Sequence, residues 1–193
     1  MDSMRFIVNF LFETGMLAKT PRSGFHFLGS GDQSVAEHTN RTVFIGYVLA
    51  MLDGKANISK VLKMCLFHDL PEARTSDLNY VHQKYASADE EKAIQELTES
   101  IPFGKDIKNI LEEYKARVTI ESILAKDADN LEFILSLKEQ ADTGNSRAKE
   151  WLTATILRLK TETAVKLAEK IMSTDSAEWW HTDKNGPWWV NRE

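Results

Sequence analysis

The stretch Thr119–Ala141, TIESILAKDADNLEFILSLKEQA, decides the fold class. Its apolar residues, among them Leu131 and Ile134, recur at the three- and four-residue spacing of a helix rather than in the alternation of a strand. Gly144-Asn145 follows and is a helix-ending signal. Strand signals are nearly absent elsewhere, and the four prolines and nine glycines fall where helical periodicity breaks. The sequence therefore predicts an all-α fold, a bundle of helices joined by short loops.

Further helices are predicted on both sides of this stretch. The first contains Phe6 and ends before Pro21, and residues 22–32 are predicted to form an irregular loop. Ser34, with Glu37 three residues later, has the pattern of a capping box, so the next helix should begin there. The remaining predicted helices extend from Ser34 to about Leu52, from a cap at Ser59 to about Asp69, from Ser87 to Glu99, through Ile107–Tyr114 and, as one helix, from about Ser146 to Met172.

Length and composition predict a single domain. With 193 residues, 42% of them hydrophobic, the chain is long enough to bury a substantial core. Residues 1–193 are therefore expected to form one helical domain, ending in a tail of about 173–193 that holds four of the five tryptophans. These aromatic side chains are expected to pack against the body of the domain, with a dimer contact as the alternative.

Charge and hydropathy argue against several classes of partner. The net charge is −5 and no long run of Lys or Arg occurs, so a long nucleic acid is not an expected ligand. No run approaches the ~18 apolar residues of a membrane span, and Met1–Phe12 lacks the features of a signal peptide. The lone Cys65 lies in an apolar run, which favours core packing and leaves no internal disulfide. These features predict a cytoplasmic protein.

Four residues could together hold a divalent cation. His68 and Asp69 are adjacent, so on a helix their side chains point about 100° apart, yet both can reach one ion at the helix end. His38 and Asp129 lie on other predicted helices and would complete a mixed nitrogen and oxygen ligand set. Spacing alone is a weak indication, because two histidines and two aspartates occur by chance in most chains of this length.

The motifs around these residues resemble those of the HD-domain phosphohydrolases, and in particular the branch that includes the bacterial 5′-deoxynucleotidases. The similarity extends from Phe6 to Trp180, with a signature core of about 34–132. The motifs that carry it are Ser34-Val35-Ala36-Glu37-His38, His68-Asp69-Leu70-Pro71-Glu72 and Lys126-Asp127-Ala128-Asp129-Asn130-Leu131. This combination is far more specific than the His-Asp pair by itself.

The resemblance implies a metal site between helices, with the ligands His38, His68, Asp69 and Asp129. It further implies that Glu72 orients or deprotonates the attacking water, that Arg22 binds the phosphate and that Asp77 contacts the sugar hydroxyl. Asp127 is an alternative last ligand, but the Ala-Asp-Asn-Leu context favours Asp129. The implied reaction is phosphate release from a (deoxy)nucleoside 5′-monophosphate, a small-molecule substrate, by a water that the metal activates.

The resemblance leaves several points open. Ser23 stands where the deoxynucleotidases have a tryptophan associated with deoxyribose preference, so the sugar preference is undecided. The cation is expected to be one transition metal among Mn, Co, Fe, Ni and Zn, and a homodimer is expected because the family commonly forms one. The alternatives are an HD phosphohydrolase acting on a triphosphate or cyclic nucleotide, and a non-catalytic nucleotide-binding HD protein.

Overall fold

The computed structural model describes residues 3–181 and residue 186. Its described part is helical without a named strand, which confirms the all-α prediction. The α-helices are α1 Ser3–Thr14, α2 Phe25–Leu28, α3 Val35–Asp53, α4 Ile58–Phe67, α5 Glu72–Thr75, α6 Glu90–Thr98, α7 Gly104–Ala116, α8 Ile120–Asp142, α9 Ser146–Ile156 and α10 Glu162–Ser173. Two 3₁₀ turns, Gly15–Ala18 and His82–Lys84, lie between them.

Helix α8 is the centre of the bundle and packs against α3, α4, α7, α9 and α10. Its side chains are buried on several faces, as expected of a helix surrounded by others. Leu131, Ile134 and Leu137 have no exposed surface. Asp127 and Glu132 are equally buried on the same helix. Because a buried carboxylate must be paired, these two positions indicate long-range polar contacts.

A glycine lets α3 and α4 approach closely. A Cβ atom added at Gly46 would lie 2.5 Å from the sulfur of Cys65 on α4. Cys65 has no exposed surface, as the sequence predicts, and burial raises the pKa of its thiol to about 12. This close approach brings the histidine of α3 and the one that follows α4 to the same end of the helix pair.

Three details of the predicted helices are wrong. The capping box of α3 is present as predicted, but α4 is capped by Asn57, whose side chain accepts from Lys60 N, and Ser59 lies inside the helix. Likewise α6 is capped by Asp89 and not by Ser87. Asparagine and aspartate cap as well as serine does, so composition alone does not choose among neighbouring polar residues. The predicted irregular loop 22–32 contains the short helix α2.

The predicted single helix 146–172 is also wrong, because the chain breaks between α9 and α10. Asp127 holds the chain at this break. Its carboxylate accepts hydrogen bonds from the backbone N–H groups of Lys160 at 2.9 Å and Thr161 at 2.8 Å. It also accepts one from the Thr161 hydroxyl at 2.7 Å. Thr161 then caps α10 by accepting from Ala164 N. Asp127 therefore anchors the start of the last helix.

The tail differs from its prediction where it is described. Trp179 is 85% exposed, so its ring does not pack into the body of the domain as expected, whereas Trp180 is 52% exposed. Trp188 and Trp189 lie outside the described residues. Among the helices of residues 3–181, none combines the length and the apolar character needed to cross a membrane.

Candidate metal centre

Two buried histidines face each other at the junction of α3 and α4. The Nδ1 atom of His38 lies 2.6 Å from Oε2 of Glu132, and Nδ1 of His68 lies 2.8 Å from the carbonyl oxygen of Cys65. Donation of an Nδ1 proton to each acceptor leaves both Nε2 atoms directed at a common point. These Nε2 atoms are 3.1 Å apart.

Two carboxylates complete the cluster. Oδ2 of Asp69 lies 3.2 Å from Nε2 of His68 and 3.5 Å from Nε2 of His38. His38, His68 and Asp69 thus offer ligand atoms that all lie within 4.8 Å of one another. Asp129 adjoins this group through His38, with Oδ1 3.2 Å from Nε2. Its other oxygen lies 2.5 Å from Nζ of Lys126.

The separations within this cluster fit a divalent cation. Ligand atoms about 2.1 Å from an ion are about 3.0 Å apart in an octahedral site and about 3.4 Å apart in a tetrahedral one. The nearest separations between the Nε2 and Oδ atoms are 3.1, 3.2 and 3.5 Å. A mixed set of imidazole and carboxylate groups suits a transition metal. The geometry and the donor chemistry therefore both fit a divalent transition-metal ion.

The electrostatic potential at the centre is negative. Burial lowers the pKa of His38, but hydrogen bonds with Asp129 and Glu132 outweigh it and raise the pKa to about 9. Burial by itself would lower the pKa of Arg22, but the negative charges of Asp69 and Asp77 outweigh burial and raise this pKa above its usual value. Burial raises the pKa of Asp69, whereas the nearby His68, His38 and Arg22 hold it at about 2. Positive charge is thus favoured at this point of the fold.

Glu72 begins the short helix α5, directly after Pro71. Its Oε2 atom is buried and has no hydrogen-bond partner among the described residues. Burial and the negative charges of Asp69 and Asp77 raise the pKa of this carboxyl to about 9. A buried polar atom without a protein partner is expected to bind a water or a ligand, and a strongly shifted pKa is typical of a functional group.

Arg22 connects the cluster to Asp77. Its Nη1 atom lies 3.3 Å from Oδ2 of Asp69, and its Nε atom lies 3.5 Å from Oδ2 of Asp77. The loop carrying Arg22 is closed onto the start of α3, since Arg22 N donates to the carbonyl of Gln33 at 2.8 Å. The structure thus brings together every residue that the sequence predicted for the site. His26 and His82, which lie outside the motifs, are exposed.

Ser23 has a structural role that the sequence did not indicate. The side chain is buried, and its hydroxyl donates to the backbone carbonyl of Asp77 at 2.6 Å. This bond joins the loop of Arg22 to the segment of Asp77. The residue that replaces the expected tryptophan therefore fixes the two segments relative to each other.

Glu132 is a second residue of the site that the sequence did not indicate. It has no exposed surface, and besides His38 it contacts Arg41, Gln33 and Ser136. Burial raises the pKa of Glu132, but the hydrogen bond and charge of His38, with Arg41, hold it at about 2. One feature of the sequence could have indicated this role. Glu132 is a charged residue inside the apolar run Leu131–Leu137, one turn after Asp129, and a charged side chain in such a position requires a partner.

Asp77 lines two cavities. The larger, about 600 Å³, includes Arg22 and Asp77 in its wall and extends along α2, α8 and α9. The smaller, about 280 Å³, is bounded by Glu72, Asp77 and the segment that leads to α6. Both cavities therefore open from the group of residues that surrounds the cation site.

Comparison with known proteins agrees with this site. The sequence profile of the HD domain matches residues 14–172. The 5′-deoxynucleotidase HDDC2 of Mus musculus is 25% identical over 187 residues, covering 89% of this chain and 93% of the relative. The Danio rerio protein of the same name is 30% identical over 145 residues, covering 72% of this chain and 70% of the relative.

A solved structure has the same fold. The structure described as a conserved hypothetical protein from Pyrococcus furiosus superposes with a TM-score of 0.73 at 28% identity, covering 86% of this chain and 99% of that one. The match of the profile to most of the chain, together with these relatives, confirms the resemblance inferred from the motifs. The chain belongs to the HD-domain family.

Proposed function

We propose that this protein is a metal-dependent phosphomonoester hydrolase, a 5′-nucleotidase that releases phosphate from (deoxy)nucleoside 5′-monophosphates. One observation carries the proposal: two Nε2 atoms and a carboxylate at coordination spacing lie beside an arginine and an unpartnered glutamate oxygen. The name 5′-deoxynucleotidase of the relatives in mouse and zebrafish supports the substrate class.

His38, His68, Asp69 and Asp129 would hold the cation. When bound, the cation supplies Lewis-acid chemistry, neutralising phosphate charge and making a water more acidic. The mixed donor set is compatible with Mn, Co, Fe, Ni or Zn.

The neighbouring residues act on the substrate. Arg22 binds the phosphate oxygens through its guanidinium, which Asp69 and Asp77 hold in place. Asp77 accepts a hydrogen bond from the sugar. Glu72 takes the proton of the attacking water, a role that its buried and unpartnered Oε2 atom supports. In-line attack at phosphorus then releases nucleoside and inorganic phosphate, without a covalent enzyme intermediate.

We also propose a cytoplasmic homodimer. Helix α3 supports the dimer, because its outer face carries apolar side chains at helical spacing that are 43–67% exposed. They are Phe44, Tyr47, Val48, Met51 and Leu52. A contiguous exposed apolar stripe of this kind is typical of a protein contact surface.

The test of the activity is phosphate release from a panel of ribo- and deoxynucleoside monophosphates after reconstitution with Mn or Co. His68→Ala and Glu72→Gln are expected to abolish release, and Glu99→Gln, on the surface beyond α6, is the control. The deoxy-to-ribo ratio tests whether Ser23 changes the sugar preference. Absence of release from every monophosphate, with metal bound, would contradict the nucleotidase and favour a triphosphate, a cyclic nucleotide or a binding role.

A further inference from the structure

We propose that the 600 Å³ cavity is a nucleobase subsite, in which the base stacks on aromatic side chains of α2, α8 and α9. This inference rests on the proposed function, because it locates the part of the substrate that lies beyond the sugar. The rings concerned are Phe27 on α2, Phe133 on α8 and Trp151 on α9.

The position of the cavity relative to the cation site is the first argument. Arg22 and Asp77 belong both to the cluster around the cation and to the wall of the cavity. A phosphoester with its phosphate at Arg22 and its sugar at Asp77 therefore has its third part at the mouth of this cavity. The volume lies within the range of about 300–1,000 Å³ that is usual for small-molecule sites.

The chemistry of the wall is the second argument. Phe133 and Trp151 form a tilted pair with ring centroids 6.4 Å apart, and Phe27 is 41% exposed although it is strongly apolar. Flat aromatic surfaces bind the face of a base by stacking, whichever base it is. A cavity wall that includes an exposed phenylalanine and a half-buried tryptophan therefore suits a planar ligand.

The smaller cavity is a poorer candidate for the base. At about 280 Å³ it lies below the usual range, and no aromatic ring occurs among its described lining residues. Its wall is instead polar, with Glu72, Gln83 and Glu90 among its members. A base placed there would have no ring to stack on and would lie against carboxylates.

Polar groups buried in the larger cavity are already paired within the protein. Oδ1 of Asn79 accepts from the backbone N–H groups of Val81 and His82, each at 3.0 Å. The hydroxyl of Thr155 donates to the carbonyl of Trp151 at 2.9 Å. Few buried groups therefore remain to read the edge of a base. The subsite should discriminate above all between substrates that carry an aromatic group and those that lack one.

The test compares deoxyadenosine 5′-monophosphate with 2-deoxyribose 5-phosphate, which has the same phosphate and sugar but no base. The wild-type protein is expected to prefer the nucleotide by about ten-fold or more in kcat/KM, as stacking of one base predicts. Trp151→Leu and Phe27→Leu should each raise KM for the nucleotide and reduce this preference towards one. Phe12→Leu, at an exposed phenylalanine of α1, is the matched control and should retain it.

Phe27→Leu keeps the proposal testable if Trp151→Leu fails to fold, because Phe27 is much less buried. A second readout is independent of hydrolysis: saturation-transfer NMR of deoxyadenosine with the protein should detect transfer to the base protons, lost in Phe27→Leu. Equal turnover of both substrates, unchanged in Phe27→Leu, would overturn the subsite. No turnover of any monophosphate would overturn the proposed function alone, and the NMR experiment would still decide the subsite.

Discussion

Nδ1 of His38 and Oε2 of Glu132 lie 2.6 Å apart, and neither side chain has any exposed surface. A carboxylate in this position fixes the tautomer and the orientation of the imidazole and increases its basicity. Glu132 therefore positions His38 without reaching the cation cluster itself.

Replacement of Glu132 should weaken metal binding. We expect Glu132→Gln to reduce the affinity for Mn or Co by about 10- to 100-fold, because the ring of His38 loses its anionic partner. Competition with a chelating dye measures this affinity. Glu139→Gln is the matched control, since Glu139 also pairs with Arg41 but does not touch His38. Equal affinities in the two variants would refute the positioning role.

The two aspartates of the Lys126–Leu131 motif should have separable effects. Asp127→Asn is expected to lower the free energy of unfolding by about 1–3 kcal/mol, since a donor of Lys160 or Thr161 at the start of α10 loses its acceptor. Its metal affinity should stay near wild type. Asp129→Asn should lose metal affinity instead. Urea unfolding of the metal-free proteins, combined with a metal titration, distinguishes them, and the reverse pattern would make Asp127 the ligand.

The contact between α3 and α4 predicts a coupled pair of substitutions. Gly46→Ala should destabilise the protein by about 1–3 kcal/mol, because the new methyl overlaps the sulfur of Cys65. Adding Cys65→Ala should recover part of the loss, which a double-mutant cycle of unfolding free energies measures. Gly15→Ala is the control, since no neighbouring atom lies within 4 Å of its added Cβ. Strict additivity would show that the steric explanation is wrong.

Ser76, directly before Asp77, has a backbone conformation that favours glycine, with φ 62° and ψ 163°. Such a conformation costs on the order of 1–3 kcal/mol in a residue with a side chain. Ser76→Gly should therefore raise the melting temperature, while Ser76→Ala should not. We also expect Ser76→Gly to reduce turnover, because Asp77 becomes less firmly placed. A melting temperature unchanged or lowered in Ser76→Gly would argue against strain at this position.

The proposed dimer can be tested on the outer face of α3. Phe44→Glu places a charge on the most exposed side chain of the apolar stripe and should shift the protein from dimer to monomer in analytical ultracentrifugation. Phe12→Glu, at another exposed phenylalanine, should have no such effect. A wild-type protein that sediments as a monomer at every concentration would exclude the dimer.

The sequence predicted those features of the fold that depend on residues close together in the chain. Apolar spacing gave the helices, and the serine and glutamate of the capping box fixed the start of α3 because they contact each other within one turn. The break before α10 and the role of Glu132 depend on partners 34 and 94 positions away in the chain. No window of sequence contains such pairs, so only the motif resemblance could bring distant residues of the site together.

The central place of α8 has a consequence for the chain as it is made. This helix supplies Asp129 and Glu132 and covers both α3 and α4. Roughly 75 residues separate the end of α4 from the end of α8, which takes about 4–15 s at ribosomal speed. Throughout that interval a nascent chain presents two uncovered apolar helices and histidines without their carboxylate partners. Folding and competence to hold a metal should therefore arise together, late in synthesis, as α8 leaves the ribosome.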